Sequence, residues 1–283
     1  MSPTEPTPSS PAPHRPHAPR GPQLRTYARF HSKLFRNCRD VTVWTPPGYG
    51  AIRGRRHPVI YFQDGQTVFA DPQAPAQPSW RAGQCAAKLL ARREIAPPIL
   101  VAIGHTGDHR IDEYTPTRAD YVRADGTPAR SAGDGKRYAR FVVNELKPFI
   151  DARYLTLPGP RTTALVGAGH GALAALYLAL WHPRVFGQVA ALSPALDWDN
   201  RAALRDFGSL KRPLEVRVWL DTGTAEAGWE TVPLFRDALI GAGWALGDAL
   251  AYREATGAQA TEAAWAARLP DVLRFLVGRG PGR

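Results

Sequence analysis

The chain has 283 residues, an apolar content of 44% and a formal net charge of +11. This length suits one large α/β domain better than two small ones. The longest apolar stretches, such as 172–181, are too short to span a bilayer, and the N-terminus lacks the apolar segment of a secretory signal peptide. Two cysteines, Cys38 and Cys85, exclude a disulfide framework. We therefore expect a cytoplasmic protein without membrane contact.

The positive charge is concentrated near the N-terminus, where residues 1–60 contain ten Arg or Lys and two acids. Residues 1–22 are rich in Pro and almost free of large apolar side chains, so we expect a disordered tail there and a single domain over 23–283. A basic arm of this kind suits nucleic acid or another polyanion. No nucleic-acid-binding motif accompanies it, and a bias toward Arg, Ala and Pro codons is the simpler explanation.

From Leu24 onward, short β-branched runs alternate with amphipathic helical segments. This alternation predicts an α/β fold, with a mostly parallel sheet between two layers of helices. The predicted strands are Val41–Trp44, Val59–Phe62, Ile99–Ile103, Ala164–Gly167, Val189–Leu192, Val216–Leu220 and a possible last strand at Leu250–Arg253. The predicted helices lie near Trp80–Arg93, Lys136–Ala152, Gly171–Trp181, Val232–Gly241 and Thr261–Val277.

Polar side chains follow four of the predicted strands, at the sheet edge where ligand sites form in such folds. The segments are 64–66, 167–171, 193–194 and 221–226. The second of these has the order strand, glycine-rich turn, apolar helix, which is the order of a nucleophile elbow, G-x-S-x-G. Its central residue is Gly169, which has no hydroxyl. A dinucleotide-binding turn is the alternative, but no acidic residue follows at the required distance on a next strand.

Seven stretches together resemble the putative-esterase family of α/β-hydrolases, which includes esterase D and the enterochelin esterases. They are 41–49, 58–66 with Phe69, 110–116, 141–154, 165–194, 220–226 and 262–265, and they extend from about residue 30 to the C-terminus. The resemblance implies an α/β-hydrolase three-layer sandwich that uses no cofactor. It places the family's serine nucleophile on Gly169, its histidine on Ala260 and its acid on Glu226, with Asp221 as a second candidate.

The missing histidine can also be seen without an alignment. In α/β-hydrolases the triad runs serine, acid, histidine along the chain, and the last histidine here is His182, before the acid strand begins. Nucleophile and base are therefore both absent, and a serine needs a base within hydrogen-bond reach. We expect a catalytically inactive pseudoesterase that binds a small molecule or protein in its former cleft.

The resemblance also assigns the oxyanion-hole amides to the region of Gln66 and to His170. Residues at the strand ends are expected to line a ligand pocket: Asp64, Gln66, His105, His170, Ser193 and Asp221. Two alternatives remain, an active ester hydrolase with an atypical site and a nucleic-acid-binding protein that uses the basic arm. No metal site is expected, since His105, Asp108, His109 and Asp112 form only a loose sequence cluster.

Overall fold

The computed structural model describes residues 21–71, 73–74, 76–123 and 125–279. The predicted tail over 1–22 therefore lies outside the described residues, apart from its last two. Within the described ranges, helices cover both faces of a central eight-stranded sheet, which confirms the α/β class predicted from the sequence. No helix in these ranges is long and apolar enough to cross a bilayer.

Every predicted strand is present, and β3 and β4 have the predicted bounds. The strands are β1 Gln23–Ser32, β2 Asn37–Thr45, β3 Val59–Phe62, β4 Ile99–Ile103, β5 Asp120–Val122, β6 Pro128–Arg130, β7 Thr163–Gly169, β8 Gln188–Pro194, β9 Arg217–Gly223 and β10 Leu250–Ala255. The sheet order is β1-β2-β4-β3-β7-β8-β9-β10, while β5 and β6 form a separate hairpin. Strand β2 is antiparallel to both neighbours, and the pairs from β4 to β10 are parallel.

The five predicted helices are also present, and α2 and α6 were not predicted. The helices are α1 Ala82–Ala91, α2 Arg110–Tyr114, α3 Gly135–Phe141, α4 Lys147–Arg153, α5 His170–Trp181, α6 Trp198–Gly208, α7 Thr231–Gly241 and α8 Glu262–Val277. A π-helical turn, Val142–Leu146, joins α3 to α4, so the predicted helix over 136–152 is continuous. Pro148 follows this turn, and a proline lacks the N–H that a regular α-helix would use there.

Alternate residues of the central strands supply two separate cores. Val59 and Tyr61 of β3 face the core that contains α3, α5 and α7, whereas Ile60 and Phe62 face the core that contains α1 and α8. All four side chains are at most 1% exposed. Strands that are buried on both faces consist of consecutive apolar residues, which is why β3 and β4 could be predicted from the sequence. This packing aligns the carboxyl ends of β3, β4, β7, β8 and β9 along one edge.

Candidate functional site

The turn between β7 and α5 has the backbone of a nucleophile elbow. Gly169 has φ 55° and ψ −124°, a region that glycine adopts without strain and other residues rarely enter. A Cβ built on Gly169 would meet nothing within 4 Å, so a side chain here would project into open space. A Cβ on Gly167 would lie 2.2 Å from the Gly171 carbonyl oxygen. The flanking glycine therefore permits the tight turn, and the central position faces open space.

The elbow lies directly beside the end of β8. Gly169 is paired with Pro194 across the β7–β8 ladder, and the Ala195 N–H donates to the Gly169 carbonyl at 3.1 Å. This register brings Ser193 next to the elbow. Ser193 is itself at φ 45°, a left-handed conformation that costs a residue with a side chain roughly 1–3 kcal/mol.

The Ser193 hydroxyl is the centre of a buried polar network that extends from β8 to α8. Its Oγ donates to Glu226 Oε1 at 2.7 Å and accepts from Trp265 Nε1 at 3.0 Å and from Arg268 Nη2 at 2.9 Å. We refer to Ser193, Asp221, Glu226, Trp265 and Arg268 as the carboxylate network. The hydroxyl has no capacity left for a substrate, because its one proton and both lone pairs are used.

Both candidate acids of the triad belong to this network and share one cation. Arg268 Nε lies 3.4 Å from Asp221 Oδ1, and Arg268 Nη2 lies 3.5 Å from Glu226 Oε1. The Asp221 side chain is completely buried, and its Oδ2 accepts from Trp219 Nε1 at 2.7 Å. Burial raises the pKa of Asp221 to about 6, although the nearby Arg268 charge and the Trp219 indole oppose that rise.

On the other side of the elbow, Asp64 and Arg110 form a bidentate ion pair. Arg110 Nε and Nη2 donate to the two Asp64 carboxylate oxygens at 2.6 and 2.8 Å. The Asp64 N–H donates to the Tyr114 hydroxyl at 3.1 Å, one turn further along α2. A Cβ on Gly171 would lie 2.7 Å from Asp64 Oδ2. The clamped carboxylate therefore packs against the first turn of α5.

His170 follows the elbow and is kept neutral. Burial lowers the pKa of His170 to about 4, and the Arg110 charge lowers it further, whereas Asp64 partly offsets both effects. The imidazole packs edge-to-face on the Trp198 indole, with ring centroids 5.6 Å apart. A neutral imidazole is the form that can act as a base, but so low a pKa makes it a weak one.

The turn after β3 is held against the loop after β4. Gln66 Nε2 donates to the His105 carbonyl at 2.9 Å, and the His105 N–H donates to Gln66 Oε1 at 3.1 Å. His105 Nδ1 accepts from the Gly107 N–H at 3.0 Å, so this ring nitrogen is already occupied. Gln66 and His170 each lie in the first turn of a helix, where a backbone N–H has no acceptor within that helix, and no bond from either N–H to a group outside it is found among the described residues. The family resemblance places the oxyanion-hole amides at His170 and in the region of Gln66.

Ala260 lies in the exposed loop between β10 and α8, directly before the N-cap residue Thr261. The same loop packs against the turn after β9 that contains Glu226, because the Ala258 carbonyl accepts from the Ala225 N–H at 3.1 Å. The assignment of Ala260 to the family's histidine position stays a prediction. Across the described ranges, no group of three or more His, Cys, Asp or Glu side chains is arranged to hold a metal ion.

Sequence reasoning missed three side chains that organise this edge of the sheet: Arg110, Trp265 and Arg268. Arg110 and Trp265 were present in the motifs that carried the family resemblance, but no role was given to them. Arg268 follows Trp265 by three residues, and this spacing places two side chains on one face of a helix. That spacing was the available signal, but a lone Arg on a predicted helix is usually solvent-exposed.

The sheet order, the elbow and the strand-end polar groups define an α/β-hydrolase fold. The model of the family described as "Putative esterase" matches residues 32–276. This chain therefore belongs to the putative-esterase family. It is 28% identical over 188 residues to the uncharacterized protein YbbA of Bacillus subtilis, an alignment that covers 66% of this chain and 69% of YbbA.

Two solved structures show the same fold. The enterobactin esterase FES of Shigella flexneri, solved in the presence of enterobactin, superposes with a TM-score of 0.70 at 20% identity, over 95% of this chain and 62% of FES. A ferulic acid esterase superposes with a TM-score of 0.68 at 17% identity, over 91% of this chain and 98% of that protein. At these identities the likeness concerns the fold and not the substrate.

Proposed function

We propose that this chain is a non-catalytic member of its family, a pseudoesterase that acts by binding a small molecule or a protein at the former catalytic cleft. The observation that carries the proposal is Gly169, a residue without a hydroxyl at the centre of an otherwise intact elbow. Acyl transfer in this fold begins with attack by a side-chain oxygen at that position. The turn presents no such oxygen.

Neither of the described histidines near the elbow, His170 and His105, is a competent base. His170 is kept neutral by burial, but its pKa of about 4 makes it a poor proton acceptor at neutral pH. The imidazole of His105 uses Nδ1 to accept from a backbone N–H. No histidine follows His182 in the sequence. The two free amides near the elbow can still bind an oxygen of a ligand, which favours retention of binding without turnover.

One contact favours a second candidate, an active hydrolase with an atypical site. Ser193 Oγ lies 2.7 Å from Glu226 Oε1, a distance at which a carboxylate can accept a hydroxyl proton. The same hydroxyl is buried and accepts hydrogen bonds from Trp265 and Arg268, which shield it from an incoming acyl group. The geometry therefore supports a structural role for Ser193 more strongly than a nucleophilic one.

Two assays on the purified full chain test the proposal: hydrolysis of short-chain p-nitrophenyl esters and covalent labelling by a fluorophosphonate. We expect no labelling and only trace hydrolysis, because an oxyanion hole alone still accelerates hydrolysis by roughly 10³–10⁴-fold over water. A kcat on the order of 1 s⁻¹ would refute the pseudoesterase. In that event, loss of the rate in Ser193→Ala identifies the atypical nucleophile, and loss in His170→Ala identifies the base.

A further inference from the structure

One surface of the domain is strongly basic, and the proposed ligand cleft makes no use of it. Residues 21–60 contain eight Arg or Lys and one acid, Asp40. Four of these arginines, Arg25, Arg53, Arg55 and Arg56, are exposed, and so is Arg153 at the end of α4. Within the described residues, none of the five forms an ion pair with a carboxylate.

A chain of tyrosine contacts connects Arg25 on β1 to the end of α4 and to the loop before β3. Arg25 lies 4.9 Å over the Tyr27 ring, and the Tyr27 hydroxyl lies 3.0 Å from the Tyr154 hydroxyl. The Tyr154 ring is 6.3 Å from that of Tyr49. Arg153 directly precedes Tyr154 in the chain. The half-buried tyrosines therefore connect arginines from β1 and the end of α4.

The loop before β3 extends this surface. The Tyr49 ring is 5.3 Å from the ring of His57, which follows Arg55 and Arg56 in the chain. Arg56 Nη1 donates to the Thr156 carbonyl at 3.2 Å, which fixes the loop against the end of α4. We call Arg25, Tyr27, Tyr49, Arg55, Arg56, Arg153 and Tyr154 the Arg–Tyr face.

No nearby acid among the described residues neutralises this face. Asp151 is the carboxylate of α4 closest to it in sequence, and it is already engaged. It accepts from Lys147 Nζ at 2.7 Å and from Thr156 Oγ1 at 2.8 Å. Asp40, on β2, accepts from the Arg29 backbone N–H at 2.8 Å. The guanidinium charges are therefore available to an external anion.

We propose that the Arg–Tyr face binds the phosphodiester backbone of a single-stranded nucleic acid. Guanidinium groups bind phosphate oxygens in a bidentate geometry, and several arginines spread over one face match a repeating anion better than a single one. Aromatic rings between basic side chains are typical of proteins that hold single strands without sequence preference. The site lies in the folded domain, outside the basic N-terminal arm that composition alone suggested.

Fluorescence anisotropy with a labelled mixed-sequence single-stranded DNA 20-mer tests the face in the full chain. The face variant carries Arg25→Glu, Arg55→Glu and Arg153→Glu. A matched control variant carries three charge reversals at exposed arginines elsewhere, Arg123→Glu, Arg212→Glu and Arg253→Glu. Both variants have the same net charge, 11 − 6 = +5. Thermal midpoints verify folding, and an Arg→Gln version of the face variant replaces it if the reversal unfolds the protein.

We expect the face variant to bind at least about 10-fold more weakly and the control variant to bind within about two-fold of the starting protein. The slope of log affinity against log salt should fall in magnitude by about 2 in the face variant, since three phosphate contacts contribute about 0.7 each on a single strand. Equal losses in both variants would overturn the proposal, because net charge alone would then explain binding.

Two further measurements test whether the N-terminal tail or a lipid surface accounts for binding. A tail variant, Arg15→Glu with Arg20→Glu, should retain most of the affinity, and a loss as large as that of the face variant would assign binding to the arm instead. Vesicles of phosphatidylcholine that contain phosphatidylserine, an anionic lipid that attracts basic segments, should not capture the protein. Capture by these vesicles without binding to the oligonucleotide would overturn the proposal in favour of a lipid surface.

Discussion

The Ser193 hydroxyl donates a 2.7 Å hydrogen bond to Glu226 Oε1, and the same oxygen accepts the Gly223 N–H at 3.0 Å. The carboxylate that the family resemblance makes the triad acid is therefore already engaged. Arg268 adds a cation 3.5 Å from this oxygen. We infer that Glu226 stabilises the junction of β8, β9 and α8. A histidine introduced nearby would have to compete with Ser193 and Arg268 for this carboxylate.

Ser193→Ala tests whether the carboxylate network stabilises the fold. The change removes one donor and two accepted hydrogen bonds and leaves buried polar groups of Trp265, Arg268 and Glu226 without that partner. We expect the free energy of unfolding to fall by about 2–4 kcal/mol. Urea unfolding measures it, with Ser209→Ala as the control, because exposed Ser209 donates to a single backbone carbonyl. A loss no larger than that of Ser209→Ala would contradict a structural role for the network.

Gly169→Ser tests the strain at the elbow. The Cβ would enter open space, so no steric clash is expected, but a side chain at φ 55° costs roughly 1–3 kcal/mol. Gly169→Ala is the matched control, since it adds the same Cβ without a hydroxyl. Both variants should lower the unfolding free energy by similar amounts. Unchanged stability in both would mean that glycine relieves no strain here.

Reconstruction of the triad tests the assignment of Ala260. Gly169→Ser and Ala260→His should each leave ester hydrolysis at trace rates, because each supplies only one half of a nucleophile–base pair. The double variant should exceed the sum of the two, since such groups act as a unit. The gain should stay modest while Ser193 and Arg268 engage Glu226. Strong activity in Gly169→Ser alone would reveal a base that the described residues do not show.

The buried imidazole of His170 predicts an acid-sensitive component of stability. Its folded pKa of about 4 lies below the ordinary value of 6.5, so the folded state disfavours the protonated ring. The contribution is fully present above pH 6.5 and is lost as the pH falls toward 4. Relative to His170→Gln, the starting protein should lose roughly 1–2 kcal/mol between pH 6.5 and 5. Thermal midpoints of both proteins across this range give the comparison, and parallel curves would exclude the effect.

The ion pair between Arg39 and Glu113 links β2 to α2 inside the protein. Arg39 Nη1 and Nη2 donate to the two Glu113 oxygens at 2.8 and 2.9 Å, and both side chains are at most 2% exposed. Glu113→Gln would leave a buried guanidinium without its counter-charge, at a cost of about 3–5 kcal/mol. Asp120→Asn breaks the exposed pair with Arg130 and should change stability by less than about 1 kcal/mol. Similar losses in denaturant unfolding of both variants would contradict this reasoning.

The sequence predicted the central strands well but missed β1, for a specific physical reason. Tyr27 and Phe30 are the half-buried aromatic residues of β1, and they are three residues apart, not two or four. A register irregularity between them, with Arg29 at φ 54°, inserts an extra residue and changes the side-chain period. An edge strand with mostly exposed side chains gives little other signal. Periodicity therefore fails where a bulge interrupts a strand.

The elbow and its three glycines could be predicted from the sequence because a backbone constraint leaves a local motif. The carboxylate network could not, because its members come from β8, the turn after β9 and α8, and only tertiary packing brings them together. Ser193 and Glu226 were proposed for the cleft on separate grounds. The spacing between Trp265 and Arg268 places both on one helix face but does not connect them to Ser193, since 75 residues separate Arg268 from Ser193 in the chain.

The contacts around Gly167 and Gly171 have a consequence for how this position can vary. A Cβ on Gly167 would collide with the Gly171 carbonyl, and one on Gly171 would approach the Asp64 carboxylate, whereas Gly169 is unobstructed. The close approaches that restrict this turn therefore involve its neighbours, whereas the central position is restricted only by its backbone angles. Selection can change the chemistry at 169 while the backbone is preserved, so a lineage can lose its nucleophile, and recover it, without rebuilding the fold.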